Sequence, residues 1–226
     1  MKQKNPSPSA SVRKPAETYY PVFFDLRNKE VIVVGGGKIA ERKIVSLLKA
    51  GASVTVISPL ITKNLEKELG KGRITHIPRE YRKGDLKQVF LVVSATDSSL
   101  MNERVSREAP CPVNVVDTPH LCSFIVPSTV HRNPLTIAIS TGGVSPAFAK
   151  TIRKELENLY GPEFSRYLNS VRKLRVAAMR EIAENGKRER FLKAIASERI
   201  MKTLRGKGYN AAMDIADKLF KQAKKA

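Results

Sequence analysis

The first chemistry legible in the chain is Gly35-Gly36-Gly37-Lys38-Ile39-Ala40, which follows the apolar run Val31-Ile32-Val33-Val34. The pattern is G-x-G-x-x-[GA] directly after a strand and at the opening of a helix, the context in which backbone amides receive a pyrophosphate. Gly35 permits the tight turn, Gly37 lets the phosphates approach the backbone, and Ala40 is small enough for helix and strand to pack. Unpaired N–H groups and the helix dipole favour an anion at that terminus. The chemistry predicted is dinucleotide binding, with redox work done on a nicotinamide.

One element of that pattern departs from the rule. The acid expected about 20 residues on, at the end of the second strand, is replaced by Ile57-Ser58-Pro59. Ser58 still offers a hydroxyl to a ribose. No arginine stands there to grip a 2′-phosphate, so NAD is favoured over NADP. Ala95-Thr96-Asp97 falls at the carboxyl end of the fourth strand, where an open α/β sheet presents groups to its ligand, so Thr96 joins the cofactor set. Asp97 and Ser98 read equally well as a helix N-cap.

Asn114-Val115-Val116-Asp117-Thr118-Pro119-His120 places a carboxylate just past another buried strand, and Asp117 is the best general base in the chain. The structural alternative is a turn-initiating Asp before Thr-Pro. His120, Cys122 and His131 are metal-ligand types in a spacing that matches no metal motif, and no metal site is assigned. Ser140-Thr141-Gly142-Gly143-Val144-Ser145-Pro146 is a second glycine turn feeding a helix, with Ser145 as N-cap and Pro146 at the first helical position. Ser140, Thr141, Gly142 and Gly143 are candidates to offer polar groups to a substrate anion.

These residues need a frame, and the patterning supplies a parallel sheet with crossover helices. Strands are expected at Val31–Val34, Val54–Ile57, Arg73–Ile77, Val89–Ser94 and Val113–Val116, with helices at Lys38–Ala50, Leu65–Leu69 and Ser98–Glu108. Strand-like runs at Phe124–Val126, Ser128–His131 and Leu135–Ile139 fall outside that sheet. From Pro146 the periodicity is helical, with Phe164–Ile182 and Phe191–Leu204 as later helices. The expected fold is α/β: an N-terminal Rossmann domain (19–117), a central region of short strands (118–145) and a helical C-terminal domain (146–226). Residues 1–18, polar and rich in Pro and Ser, read as a disordered tail.

The 226 residues carry 41 Lys and Arg against 21 Asp and Glu, a net charge of +20. Such a chain meets something anionic, whether nucleic acid, lipid or a polycarboxylate. Two cysteines are too few for a disulfide framework, and no apolar run reaches the ~18 to 20 residues of a membrane helix. With no signal-peptide core either, a cytoplasmic location is expected.

Five motifs in order, Tyr20-Pro21-Val22-Phe23-Phe24-Asp25-Leu26, Val33 to Lys43, Asn114-Val115-Val116-Asp117, Ser123-Phe124-Ile125-Val126-Pro127 and Ser140 to Pro146, resemble the siroheme synthase family in its precorrin-2 dehydrogenase module. The resemblance runs from about Tyr19 to at least Asn158. It implies oxidation of precorrin-2 to sirohydrochlorin with NAD; some members then insert ferrous iron, a candidate second substrate here. It places the catalytic aspartate on Asp117 and cofactor contacts on the glycine turn with Lys38 and Ile39, and on Pro59 and Leu60. It also implies a homodimer formed through the central strands, and precorrin-2 made by a separate protein, since no methyltransferase domain follows. The anionic tetrapyrrole, with its eight carboxylates, makes sense of the basic charge, and Arg132 and Arg153 are the first candidates to contact it. Neither nucleic acid nor membrane is then a partner.

Two other readings compete with the enzyme. One is a regulator that senses NAD and NADH and binds DNA through its basic part, although no helix-turn-helix signature precedes the glycine turn. The other is a catalytically idle NAD-binding module.

Overall fold

The computed structural model describes residues 19–225, so the expected N-terminal tail lies outside the described residues. The chain forms two compact units, one running through Val126 and one from Pro127 onward.

In the first unit, β1 (Glu30–Val34), β2 (Ser53–Ile57), β3 (Ile74–Ile77), β4 (Leu91–Ser94) and β5 (Val113–Val115) make a parallel sheet in the order β3-β2-β1-β4-β5. Alternation sends Val31 and Val33 to one face, where they pack with Ala40 and Ile44 of α1 (Lys38–Lys49) and Leu65 of α2 (Lys63–Gly70). Ile32 and Val34 face the other way, toward Val105 of α3 (Ser99–Glu108). Both faces of β1 are closed, hence its continuous apolar run. Each fully buried Val or Ile contributes roughly 1.5–3 kcal/mol.

The order reverses between β1 and β4, the switch point at which open α/β sheets receive ligands. The crossing from β3 to β4 has no helix. Tyr81 and Leu86 are buried in its place, Arg79 holds Asp85 through a two-pronged ion pair at 2.8 and 2.9 Å, and the Tyr81 hydroxyl donates to Glu108 at 2.8 Å.

The run Phe124–Val126, expected as a strand, is not one. Ser123 makes a single backbone bond to Val113 at 2.8 Å, and the Asn114 side chain then takes the Phe124 carbonyl at 3.1 Å, which removes a ladder acceptor just before Pro127, a residue with no N–H to give. β4 begins two residues later than expected, after Gln88 in a left-handed conformation.

The second unit opens with an antiparallel pair, β6 (Ser128–Arg132) and β7 (Leu135–Ile139). Helices α4 (Pro146–Leu159), α5 (Pro162–Glu181), α6 (Asn185–Ala194) and α7 (Glu198–Lys225) follow, α7 being interrupted at Gly208 (φ 78°). The last three share a core of Phe164, Tyr167, Phe191, Ile195, Ile200 and Leu204. The expected single helix Phe191–Leu204 is two helices, because the Tyr167 hydroxyl captures the Ile195 carbonyl at 2.7 Å where the chain breaks. No helix among the described residues is long and apolar enough to cross a membrane.

Candidate functional site

The carboxyl ends of β1, β2, β4 and β5 open onto one cleft of about 1020 Å³. Gly35, Gly37, Lys38, Ile39, Ser58, Pro59, Leu60, Thr96 and Asp117 all line it. They come from four strand ends, 82 positions apart at the extremes in sequence, and the sheet brings them together.

The three glycines serve different ends. Gly35 (φ +113°) and Gly36 are buried, and a Cβ on either would stand 2.3 Å from the Ala95 carbonyl oxygen or 2.1 Å from that of Leu60. Those two positions are closed by the protein itself. At Gly37, which is exposed, a Cβ would meet nothing within 4 Å, so the open space over the α1 N-terminus is free for a ligand. Gly37 has no capping side chain to bond the first amides of α1. That cradle fits a pyrophosphate.

The loop after β2 is held from two sides. His76 Nε2 bonds the Ser58 carbonyl at 2.9 Å, and the Glu41 carboxylate accepts from Thr62 Oγ1 at 2.5 Å and Asn64 Nδ2 at 2.8 Å. Those two bonds hold the Glu41 carboxyl below its ordinary range. The Ser58 hydroxyl, in a side chain only 9% exposed, has no protein partner among the described residues and lies beside Gly36. It is free to bond a ligand. Leu60 is 82% exposed and Ile39 40%, leaving apolar surface at the cleft for a ring to cover.

Across the cleft, Ser98 caps α3 by accepting from Met101 N at 3.2 Å, while Thr96 and Asp97 line the wall. Asp117 follows β5 with a left-handed backbone (φ 57°), a conformation that Asp tolerates better than most residues. Its exposed carboxylate makes no hydrogen bond or ion pair with protein among the described residues. Beneath it Cys122 is tied into the turn, its thiol donating to Val115 O at 3.1 Å. Burial pushes that thiol up, and it pushes Lys43 of α1 down, with Arg42 adding to the latter and Asp117 opposing it.

The expected substrate residues lie in the second unit. Gly142 and Gly143 both have positive φ (63° and 89°); Ser140 Oγ accepts from Gly142 N at 3.0 Å, and Thr141 Oγ1 accepts from Ser145 N at 3.1 Å. Ser145 caps α4 as its sequence position requires. The Arg132 guanidinium donates to the carbonyls of Tyr160 at 2.9 Å, Glu157 at 3.2 Å and His131 at 3.0 Å. Arg153 pairs with Glu157 at 2.6 Å. Sequence reasoning passes over Glu41, Asn102 and Lys43, because the bonds of Glu41 to Thr62 and Asn64, those of Asn102 to Ser94 and Thr96, and the burial of Lys43 near Asp117 leave no local signal.

Two families match the chain, one described as "Putative NAD(P)-binding" over residues 22–128 and the other as "Sirohaem biosynthesis protein central" over 132–159. The siroheme synthase of Methylobacillus flagellatus is 43% identical over 174 residues, covering 76% of this chain and 37% of that protein. Over that region the chain is similar to the siroheme synthases. The siroheme synthase of Actinobacillus succinogenes is 37% identical over 197 residues, 86% of this chain and 41% of its own length. The chain thus spans about two fifths of the length of the curated relatives it matches. Among solved structures, "SirC, precorrin-2 dehydrogenase" superposes with a TM-score of 0.76 at 26% identity, covering 92% of this chain and all of that one. The expected Rossmann-like α/β fold with a helical C-terminal part is therefore shared with that solved structure.

Proposed function

We propose that this chain is an NAD-dependent dehydrogenase that oxidises precorrin-2 to sirohydrochlorin. The observation that carries the reading is the free Asp117 carboxylate in the same cleft as an open, amide-lined glycine turn. Dehydrogenation removes a hydride and a proton. NAD, when bound, is the hydride acceptor; Gly37 and the first amides of α1 would hold its pyrophosphate, Ser58 a ribose hydroxyl, and Ile39 and Leu60 its apolar ring surface. Asp117 Oδ takes the proton that the macrocycle gives up as it loses hydride, and passes it to water, for which its exposure suits it.

The substrate is an anionic tetrapyrrole, and the net charge of +20 favours its approach. Ser140, Thr141, Gly142, Gly143, Arg132 and Arg153 are proposed to contact its carboxylates. Ferrous iron is the proposed second substrate: insertion into sirohydrochlorin displaces two pyrrole protons, which Asp117 is proposed to accept. The protein is proposed to act in the cytoplasm as a homodimer. Nothing in the comparisons favours the regulator reading.

Incubation with precorrin-2 and NAD tests the reading. Sirohydrochlorin absorbance and NADH should rise together in equal amounts, and a silent wild-type protein sinks the dehydrogenase. Ferrous iron added to the same product should convert it to siroheme; failure of that step alone removes only the chelatase half.

A further inference from the structure

Asn102, on the first turn of α3, is 8% exposed and does not itself line the cleft. Its Oδ1 accepts from Ser94 Oγ at 2.7 Å, Thr96 Oγ1 at 2.9 Å and Thr96 N at 3.4 Å, and its Nδ2 donates to Thr96 O at 3.0 Å. The orientation of the amide follows from the backbone, because Thr96 N can only donate and Thr96 O can only accept. One side chain therefore engages every polar group of Thr96. It does so immediately beyond β4, where the sheet ladder no longer fixes the chain.

What that clamp holds is the wall of the cleft. The Ala95 carbonyl lies against Gly35, and Thr96 and Asp97 face the space over the glycine turn. The rest of α3 has independent anchors in the Ser98 cap and buried Val105, and Ser94 is held in the sheet by its pairing with Val34. Loss of the amide thus frees the Thr96 loop more than the fold.

We infer that Asn102 is a positioning residue for the dinucleotide: by fixing Thr96 it sets the wall against which the cofactor binds, and so governs NAD affinity. The inference rests on the NAD reading above. An amide is required because the role needs an acceptor and a donor at once. A carboxylate supplies the first only, and a protonated carboxyl supplies both.

The test is titration of the whole chain with NADH, followed by the fluorescence of the reduced nicotinamide, together with thermal denaturation of each variant. Asn102→Asp is nearly isosteric. Its NADH affinity, relative to wild type at each pH, should be about tenfold weaker at pH 8, the size of one lost buried hydrogen bond, and should recover only as the pH falls far enough to protonate the new carboxyl. Asn102→Ala should be weaker by tenfold or more whatever the pH. If Asn102→Asp is folded and binds NADH as wild type does at pH 8, the inference is overturned. If wild type itself binds no NADH, the NAD reading fails first and carries this inference with it.

Discussion

Gly35 and Ala95 meet so closely that no side chain fits between them: a Cβ on Gly35 would stand 2.3 Å from the Ala95 carbonyl oxygen, at a φ of +113° that L residues rarely adopt. Gly37, two residues on, meets nothing. The two glycines therefore separate stability from binding. Gly35→Ala should destabilise the first unit by about 2–5 kcal/mol through combined clash and backbone strain. Gly37→Ala, at an ordinary φ of −78°, should keep the wild-type melting temperature and weaken NADH binding by tenfold or more, since its methyl stands where the pyrophosphate approaches. Melting curves and NADH titrations of the pair check both statements.

Asp117 permits a substitution that leaves the backbone undisturbed, because Asn tolerates the left-handed conformation (φ 57°) as readily as Asp. Asp117→Asn should lower the rate of precorrin-2 oxidation by about 10²- to 10⁴-fold, the usual contribution of a positioned base, while NADH binding and melting temperature stay as in wild type. A rate within threefold of wild type would remove Asp117 from the role of base.

The glycine turn, the strand ends and Asp117 are legible in the sequence because each carries its own local signature: a spacing, an apolar run, a turn residue at its end. What was illegible has no such signature. Glu41 holds the loop at Thr62 and Asn64, and Asn102 holds Thr96, through bonds that exist only after the sheet has assembled. The crossing from β3 to β4 is likewise unreadable, since Tyr81 and Leu86 replace a helix by burial and not by periodicity. The break at Ile195 depends on Tyr167, 28 residues earlier.

Lys43 shows the same dependence on assembly and gives a pH signature. Burial, with Arg42 nearby, depresses its folded-state pKa below the unfolded value, against the pull of Asp117 and Cys122. For a lysine so depressed, the protonated side chain destabilises the fold at pH values below the folded pKa. That penalty is relieved as pH rises toward the unfolded value of about 10.4. Lys43→Met should therefore melt higher than wild type at pH 7, and the gain should shrink to nothing as the pH approaches 10.5. Differential scanning fluorimetry of the two proteins across pH 6 to 10.5 checks the trend; a gain that grows with pH contradicts it.

Arg132 and Arg153 stand in different relations to the fold, and that difference makes their separate mutation informative. Arg132 donates to three carbonyls at the end of β6 and the end of α4, so Arg132→Ala should cost about 1.5–3 kcal/mol of stability as charge-assisted hydrogen bonds are lost. Any change in its KM for the tetrapyrrole would then mix two effects. Among the described residues Arg153 makes only an i,i+4 pair with Glu157, with both side chains about 30% exposed, worth roughly 0.2–0.5 kcal/mol. Arg153→Ala should leave the melting temperature within a degree or so of wild type. If the guanidinium reaches a substrate carboxylate, KM should nevertheless rise about tenfold, with kcat little changed and the effect fading at high salt. An unchanged KM at low ionic strength would return Arg153 to the solvated surface of α4.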